Sequence, residues 1–323
     1  MMPVNNRSRV TEDSLNNVQS EELLRVSWYY YKLGMTQTMI AEKMNTNRVR
    51  VMKLLDTALQ QGIVEINIKD PRVNLLAIEE DLKSAFNLRD SVVVPTGNMP
   101  IEDLNEQLGM ATAQYISNLF NNGDVLAVGW GDSVSKTVKH LSLDQIRDFH
   151  LISLSGGMLP LLTEWSFFGK YLQQLKILPA PLLVSNATIA EAIYNEPEVQ
   201  EILKMWKLSN YSLVGIGNLS SQATVRQKGY LSEIDQTRLK QMGAVGDILG
   251  QFYDNNGVHI PYETDSRLIA QSIREIKNMS NVIAVAGGLD KLDAIHAALK
   301  GGYIKILVTD EEVAKALLNR HAN

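Results

Sequence analysis

The most constraining feature of this 323-residue sequence is a series of short apolar segments that recurs between residues 91 and 310. Their continuous apolar character is typical of strands buried on both faces of a sheet. Helical segments separate nearly all of them, which predicts right-handed crossovers and a doubly wound, mainly parallel α/β sheet. The predicted strands are SVVVP (91–95), VLAVGW (125–130), HLISLSGG (150–157), KILPAPLLV (176–184), YSLVGIGN (211–218), NVIAVAGG (281–288) and YIKILVTD (303–310).

Residues 22–62 have a different, helical periodicity that predicts three short helices. Thr36 and Asn47 are placed to cap the second and third helices, and Asn45 suits the tight turn between them. Residues 63–68, IVEINI, alternate apolar and polar side chains, which predicts a strand and hence a short wing. The residues expected to face inward on the third helix are Val51, Leu54, Leu55 and Ala58.

The run Asp70-Pro71-Arg72 interrupts the periodicity and predicts a domain boundary. We therefore expect a flexible arm over 1–20, a DNA-binding helix-turn-helix domain over 21–70, and an effector-binding and oligomerisation domain over 71–323. The helix predicted over 75–88 has one apolar stripe, which could pack on the larger domain, contact a second subunit, or be ordinary domain core. Residues 255–257, NNG, predict a small hairpin or excursion.

Composition excludes several function classes. The chain has no cysteine, and its five histidines never fall at metal-ligand spacing, so we expect no metal and no cofactor. The sequence lacks both an apolar run long enough to span a membrane and the h-region of a signal peptide, which predicts a cytoplasmic protein. A net charge of −5 argues against a protein that coats nucleic acid, but residues 47–53, NRVRVMK, form a local basic cluster.

The segment TQTMIAEKMNTNRVRVMKLLDTALQQGIV (36–64) resembles the helix-turn-helix signature of the SorC family of sugar-responsive regulators. Periodicity alone would also fit a three-helix bundle with no DNA-binding role. The resemblance implies double-stranded operator DNA as a partner, with arginine the better base reader and Lys53 nearer to phosphate. The implied contacts to bases or phosphates are Asn47, Arg48, Arg50 and Lys53, with Gln37 and Thr38 near the DNA backbone.

Three glycine-rich loops follow predicted strands, where open α/β sheets bind their ligands. The first, 129–133, opens a helix whose amides could hold a phosphate. Val134 stands at the third glycine position of a dinucleotide fingerprint, so this loop does not match one. The candidate effector-binding residues in the loops are Gly129, Gly131, Ser133, Ser155, Gly156, Gly157, Gly287, Gly288 and Lys291.

The segments GDVLAVGWG, ISLSGG, LVGIGN, GAVGDILGQFYD, VAGGLDKLDAI and GGYIKILVTD resemble SorC-type effector domains. That family's fold is similar to glucosamine-6-phosphate deaminase and ribose-5-phosphate isomerase, which implies a phosphorylated, sugar-like effector. By the same resemblance, Asp247 would bond sugar hydroxyls, although it could equally be a structural carboxylate. The branch that represses autoinducer-2 uptake operons is the most similar, which makes phosphorylated autoinducer-2 one candidate effector.

These observations predict a transcriptional regulator, with a repressor favoured over an activator. Two half-sites on DNA require at least a dimer, and the resemblance implies a tetramer. The alternative is a sugar-phosphate isomerase or deaminase with an appended DNA-binding module, in which Asp247 or Asp290 would be the base. Lys291 could also be a solvated helix-start lysine, and Trp130 could simply be core.

Overall fold

The computed structural model describes residues 20–66, 69–70, 73–96, 100–158 and 171–322. The chain divides into two compact units, Met1–Asp70 and Pro71–Asn323. The predicted arm lies outside the described residues except for Ser20, which is already helical. The helices of the first unit are α1 (20–27), continued by a π-helical turn Trp28–Lys32, α2 (Gln37–Lys43) and α3 (Arg48–Gln60).

Side-chain caps set the starts of α2 and α3, as predicted. The Thr36 hydroxyl accepts a hydrogen bond from the Met39 amide at 3.3 Å, and Asn47 Oδ1 accepts one from the Arg50 amide at 2.8 Å. Asn45 has a φ of 50°, so the left-handed turn predicted between the helices is confirmed. The small core of this unit consists of Leu23, Val26, Ile40, Ala41, Val51, Leu54, Leu55 and Ala58.

The predicted wing strand is wrong over Ile63–Ile66, the described part of that segment. The amides of Ile63 and Val64 both donate to the Ala58 carbonyl, at 2.9 and 3.2 Å, which turns the chain back over the end of α3. Val64 then packs against the helical core. A strand needs a partner, and the described residues of this unit contain no second strand, so alternation of apolar residues was insufficient.

The second unit consists of strands and helices that mostly alternate along the chain. Short 3₁₀ turns also occur at Leu172–Gln174, Asp265–Arg267 and Leu289–Lys291. The strands are β1 (Asp90–Val94), β2 (Asp124–Val128), β3 (Phe149–Ser153), β4 (Leu175–Lys176), β5 (Tyr211–Gly215), β6 (Gly217–Asn218), β7 (Ala244–Ile248), β8 (Gln251–Asp254), β9 (Val282–Val285) and β10 (Ile306–Asp310). The helices are α4 (Val73–Phe86), α5 (Ile101–Leu119), α6 (Asp132–His140), α7 (Ala187–Asn195), α8 (Pro197–Trp206), α9 (Thr224–Gln227), α10 (Glu233–Gln241), α11 (Ile273–Asn278), α12 (Leu292–Lys300) and α13 (Glu311–Ala322).

Seven strands form one parallel sheet in the order β1-β10-β9-β5-β2-β3-β4. Successive residues of β2 enter different cores, because Val125 and Ala127 belong to one apolar cluster while Leu126 and Val128 belong to another. Both faces of the sheet are therefore covered, and the predicted doubly wound α/β fold is confirmed. From the neighbours β5 and β2 the chain continues in opposite directions, to β9 and to β3, which makes this pair the switch point of the sheet.

The strand predicted over 176–184 is much shorter than expected. Only Leu175–Lys176 pairs with β3, and Leu183 forms an isolated bridge with Leu268. Pro179 and Pro181 lie in the intervening stretch and cannot donate to a ladder, which explains the difference.

A small antiparallel sheet, β6-β7-β8, accompanies the large one. The turn from β7 to β8 contains Leu249 and Gly250, with φ of 54° and 80°, and the sequence did not signal this hairpin. The excursion predicted at 255–257 is confirmed, since β8 ends at Asp254 and Tyr253 bridges back to His259.

Helix α4 is an ordinary domain helix of the second unit, one of the three interpretations left open by the sequence. Leu82 is fully buried, and Leu75 and Phe86 pack against the same core cluster. In the described ranges, none of the helices combines the length and the apolar character needed to cross a bilayer.

Helices α5 and α6 approach closely at Gly109, where an added Cβ would lie 2.5 Å from Lys136 Cβ and 2.8 Å from its carbonyl carbon. Alanine favours a helix over glycine by about 1 kcal/mol, but overpacking costs about 1–3 kcal/mol. We therefore expect Gly109→Ala to lower the free energy of unfolding by about 1 kcal/mol, and by no more than about 2 kcal/mol, measured by urea denaturation. The neighbouring Met110→Ala, at a 52% exposed position, should change it by less than about 0.5 kcal/mol. An unchanged or raised midpoint for Gly109→Ala would contradict the tight helix contact.

Candidate DNA-binding and effector sites

The predicted DNA-contacting residues surround the starts of α2 and α3. Thr38, Arg48 and Lys53 are exposed. Arg48 Nε donates to Gln37 Oε1 at 3.2 Å, which links the two helix starts and leaves the terminal guanidinium nitrogens without a partner among the described residues. This arrangement places a cation and two neutral polar side chains on one exposed edge, which suits contact with phosphate.

Arg50 and Asn47 have structural roles that the sequence did not predict. Arg50 Nη2 pairs with Glu22 Oε2 at 2.9 Å, so the first helix holds this guanidinium in place. Asn47 Oδ1 is occupied by capping, which leaves only its amide nitrogen to act as a donor to DNA. Of the predicted cations on α3, Lys53 is therefore the one whose ammonium has no partner in the described part of the chain.

A cavity of about 680 Å³ opens at the carboxyl ends of β2, β5 and β9, beside the switch point of the sheet. We call it the main chamber, and its lining includes Gly131, Ser133, Asn218, Asp247 and Lys291. A side chamber of about 260 Å³ adjoins it, and its lining includes Ser135, Gly156, Gly157, Lys228 and Tyr230. The two chambers share Trp130, Gly131, Asp132, Thr224 and Gln227 as lining residues.

The residues at the N-terminus of α6 line the main chamber. Gly131 precedes the helix with a φ of 140°, a conformation that L side chains rarely adopt, and no side chain caps the helix. The amides of the first turn have no acceptor within the helix, and the helix dipole favours an anion there.

The Asp132 carboxylate at this helix start is held by α5. Asp132 Oδ2 accepts from Asn105 Nδ2 at 2.8 Å, and the Ser133 hydroxyl donates to Asn105 Oδ1 at 3.1 Å. Asn105 therefore fixes the orientation of both side chains. An acid beside an anion site is repulsive, and this pairing draws part of its charge onto the amide.

Asp247 lies on β7 and is only 5% exposed, yet it lines the main chamber. Its Oδ2 accepts from the Gly250 amide at 3.0 Å, so the carboxylate holds the β7–β8 turn. An added Cβ at Gly217 would overlap Asp247 Oδ1, so only glycine leaves room for it on β6. Burial raises the pKa of the Asp247 carboxyl to about 6, while the Gly250 amide and the positive charge of Lys291 oppose the rise.

Lys291 is half-buried in the main chamber and forms no ion pair with any described residue. Burial lowers the pKa of its ammonium group, and the nearby carboxylates of Asp290, Asp132 and Asp247 act against that change. Asn218 Nδ2 donates to both the carbonyl and the carboxylate of Asp290, at 3.0 and 2.9 Å. Lys291 therefore supplies a cation that is not already bound in a salt bridge.

Trp130 separates the two chambers and is both core and lining. Its ring packs against Tyr230, with centroids 5.7 Å apart. Its indole Nε1 is buried without a hydrogen-bond partner among the described residues. An unpaired buried donor costs about 1–3 kcal/mol, so an acceptor on a ligand would relieve that cost.

Four of the predicted effector-binding residues line neither chamber. The backbone at Gly129 lies close to Leu249, because an added Cβ would lie 2.8 Å from that side chain. The Ser155 hydroxyl is buried and donates to the Gly156 carbonyl. The Gly288 amide donates to Asp310 Oδ2 at 2.7 Å, and a Cβ at Gly287 would meet the same atom at 2.6 Å. The structure brings together Gly131, Ser133, Gly156, Gly157, Asp247 and Lys291 across the two adjoining chambers.

Several polar lining residues carried no signal in the sequence. They come from α5, from the end of β6 and from the stretch between β6 and β7, which are separated along the chain from the glycine loops. Only the chain's path over the switch point brings them to the cavity. The residues that the sequence missed are Asn105, Asn218, Ser220, Gln222, Thr224, Gln227 and Lys228.

Comparison with known proteins identifies relatives of this chain. A family model described as "putative sugar-binding domain" matches residues 70–319. The transcriptional regulator LsrR of Klebsiella pneumoniae is 34% identical over 96% of this chain and 98% of its own length, and LsrR of Escherichia coli K12 is 33% identical over 97% and 98%. The full-length sorbitol operon regulator SorC of Klebsiella pneumoniae, a crystal structure, superposes with a TM-score of 0.69 at 26% identity, covering 92% of this chain and 98% of that one.

The raised pKa of Asp247 predicts a pH-dependent stability. Between its unfolded pKa of 3.8 and its folded pKa of about 6, the folded state binds the proton more tightly, so stability falls as pH rises through this window. Relative to Asp247→Asn, the wild type should lose up to about 3 kcal/mol of unfolding free energy between pH 4 and pH 7.5. Urea denaturation of both proteins at several pH values measures this difference, and parallel profiles would contradict a carboxyl that resists ionisation.

Proposed function

The chain belongs to the SorC-type family of transcriptional regulators that carry a sugar-binding domain, and from this premise we propose where it binds its ligands and how it responds. Residues 21–70 are the DNA-binding domain, and residues 71–323 form the effector-binding and oligomerisation domain. The observation that carries the proposal is the main chamber, in which the uncapped start of α6, Lys291 and Asp247 line one cavity.

The effector in this proposal is a phosphorylated, sugar-like molecule. Its phosphate lies against the first-turn amides of α6 and the Lys291 ammonium, because both groups favour an anion and neither is neutralised by a salt bridge in the described residues. Gly131 and Ser133 are the lining residues at that helix start. The Trp130 indole nitrogen supplies a further donor between the chambers.

The rest of the ligand is rich in hydroxyl groups. The carboxylates of Asp132, Asp247 and Asp290 line the main chamber and accept hydrogen bonds, so hydroxyl donors suit them whereas a second anionic group does not. The side-chain amide of Gln222 lines the same chamber and can donate or accept. Phosphorylated autoinducer-2 is one candidate that meets this description.

The response of the regulator is release from its operator. Two half-sites require at least a dimer, so the protein acts as a homo-oligomer, a dimer or a tetramer. An effector that binds the DNA-free arrangement tenfold more tightly supplies about 1.4 kcal/mol, which is enough for a tenfold loss of operator affinity. A phosphate that makes a few charge-assisted hydrogen bonds can account for that difference.

Catalysis is not part of this proposal. Asp247, with a pKa of about 6, has the acidity of a general base, which is the observation that favours an isomerase or deaminase. Its Oδ2 is engaged by the Gly250 amide, however, and relatives named as regulators support the non-enzymatic role. Deuterium exchange into sugar phosphates, followed by proton NMR, tests for the alternative.

Removing the unpaired cation should remove effector binding. Charge-assisted hydrogen bonds contribute about 1.5–3 kcal/mol, so Lys291→Ala should weaken the binding of the sugar phosphate by tenfold or more. Thermal-shift titration with a panel of sugar phosphates, including phosphorylated autoinducer-2, measures the affinity, and operator binding should stay intact. Lys300→Ala, on the exposed end of the following helix, is the matched control. Equal responses in the two variants would place the phosphate elsewhere.

Removing the cations at the start of α3 should abolish operator binding. Arg48→Ala combined with Arg50→Ala takes away two positive charges and the Gln37 and Glu22 contacts that position them. Gel retardation of DNA from the region upstream of its own gene should be lost, while thermal stabilisation by a sugar phosphate is retained. Arg320→Ala, an exposed arginine of the second unit, is the control. Undiminished retardation by the double variant would refute this assignment of the DNA-binding face.

A further inference from the structure

The third helix has two opposite faces that differ in burial. Val51, Leu54, Leu55 and Ala58 are buried in the core of the first unit. These buried residues follow an i, i+3, i+4, i+7 spacing. The same spacing, shifted by two positions, gives a second set on the helix, at positions 49, 52, 53 and 56, and all four of its members are exposed. They form the outward stripe of α3, whose members are Val49, Met52, Lys53 and Asp56.

The first two residues of this outward stripe are apolar. Val49 is 57% exposed and Met52 is 45% exposed. Neither belongs to the core of the unit or packs against it. An outward helix face needs no apolar side chain for folding, so these two adjacent residues are available for contact with a partner.

The two arginines flank the apolar part of the outward stripe, which consists of Val49 and Met52. Gln37 holds Arg48 toward α2, while Glu22 holds Arg50 toward α1, so the two guanidinium groups are drawn to opposite edges. Lys53 follows one turn after Val49. Flanking cations suit the phosphates that border a groove, and the stripe between them then faces the bases.

We propose that Val49 and Met52 read sequence by packing against the C5-methyl groups of thymines in the major groove. The N-terminal residues of a recognition helix reach base edges there, and the thymine methyl is the apolar feature that the groove offers. The inference rests on the DNA-binding function of the chain. It assigns base discrimination to two uncharged residues, with Arg48 and Lys53 mainly contacting phosphate.

The first experiment uses the wild-type full-length protein and defined DNA. A binding site is selected from a pool of randomised duplexes at fixed salt, and each thymine of that site is then replaced in turn by deoxyuridine, which lacks only the methyl group. Burial of one methyl corresponds to roughly a fourfold change in affinity. We expect losses of about that size at one or two thymines of each half-site.

The second experiment assigns each thymine to a residue. Met52→Ala should bind deoxyuridine and thymine equally well at one position, and Val49→Ala should do so at another, because each variant has lost the side chain that contacts the methyl. Lys53→Ala should weaken binding to all sequences alike and leave every uracil effect in place. Leu59→Ala, a 38% exposed apolar residue near the end of the same helix, is the matched control and should behave as wild type.

The outcomes separate this proposal from the DNA-binding function itself. A selected site in which no uracil substitution weakens wild-type binding would overturn methyl reading, while the selection would still demonstrate a DNA-binding protein. Uracil effects that persist undiminished in both Met52→Ala and Val49→Ala would overturn the assignment to these residues. If an alanine variant binds too weakly to measure, Met52→Leu and Val49→Ile keep the apolar contact and should retain the uracil effect.

Discussion

The burial of one carboxylate, Asp247, is the constraint on which the wall of the main chamber depends. Taking a carboxylate out of water is costly, and the fold offsets part of that cost with the Gly250 amide at 3.0 Å and with the charge of Lys291. The space for it exists only because residue 217 has no side chain. The β7–β8 turn, the β6 glycine and the chamber wall are therefore fixed by the same group, so a change at any of them alters all three.

The acidic lining of the main chamber determines how an anion can be held there. Four acids, Glu102, Asp132, Asp247 and Asp290, line the chamber with a single lysine, so side-chain charge alone would repel a phosphate. Backbone amides at the start of α6 add hydrogen-bond donors for an anion. Because these amides carry no formal charge, the acids of the chamber cannot form salt bridges with them. Asn105 further restricts Asp132 by a hydrogen bond at 2.8 Å. In our proposal such a site selects for a ligand with one anionic end and many hydroxyls, because the acids accept hydrogen bonds from hydroxyls and reject further negative charge.

The sequence was sufficient to predict those features of the fold that depend on local chemistry. Caps at Thr36 and Asn47 and the buried parallel strands follow from residue type and spacing, and the structure confirms them. The wing failed because a strand needs a partner that the described part of the first unit lacks. The polar lining from Asn105 and Asn218 could not be predicted, because only the order of strands in the sheet brings these residues near Lys291. Likewise, spacing identified the cations of α3 but not the Gln37 and Glu22 contacts that direct them.

A DNA-binding role is compatible with a net charge of −5. In our proposal the cations of α3 contact phosphates, while its exposed apolar side chains contact bases. The three cations of one recognition helix, Arg48, Arg50 and Lys53, allow a dimer about six phosphate contacts, which corresponds to a salt slope of roughly −5. Because the net charge of the whole chain is negative, phosphate attraction is limited to this local basic cluster. Discrimination between sequences then gains from groups whose contribution does not depend on salt. The exposed Val49 and Met52 are such groups, since apolar packing on a base methyl favours particular sequences without adding affinity for DNA in general.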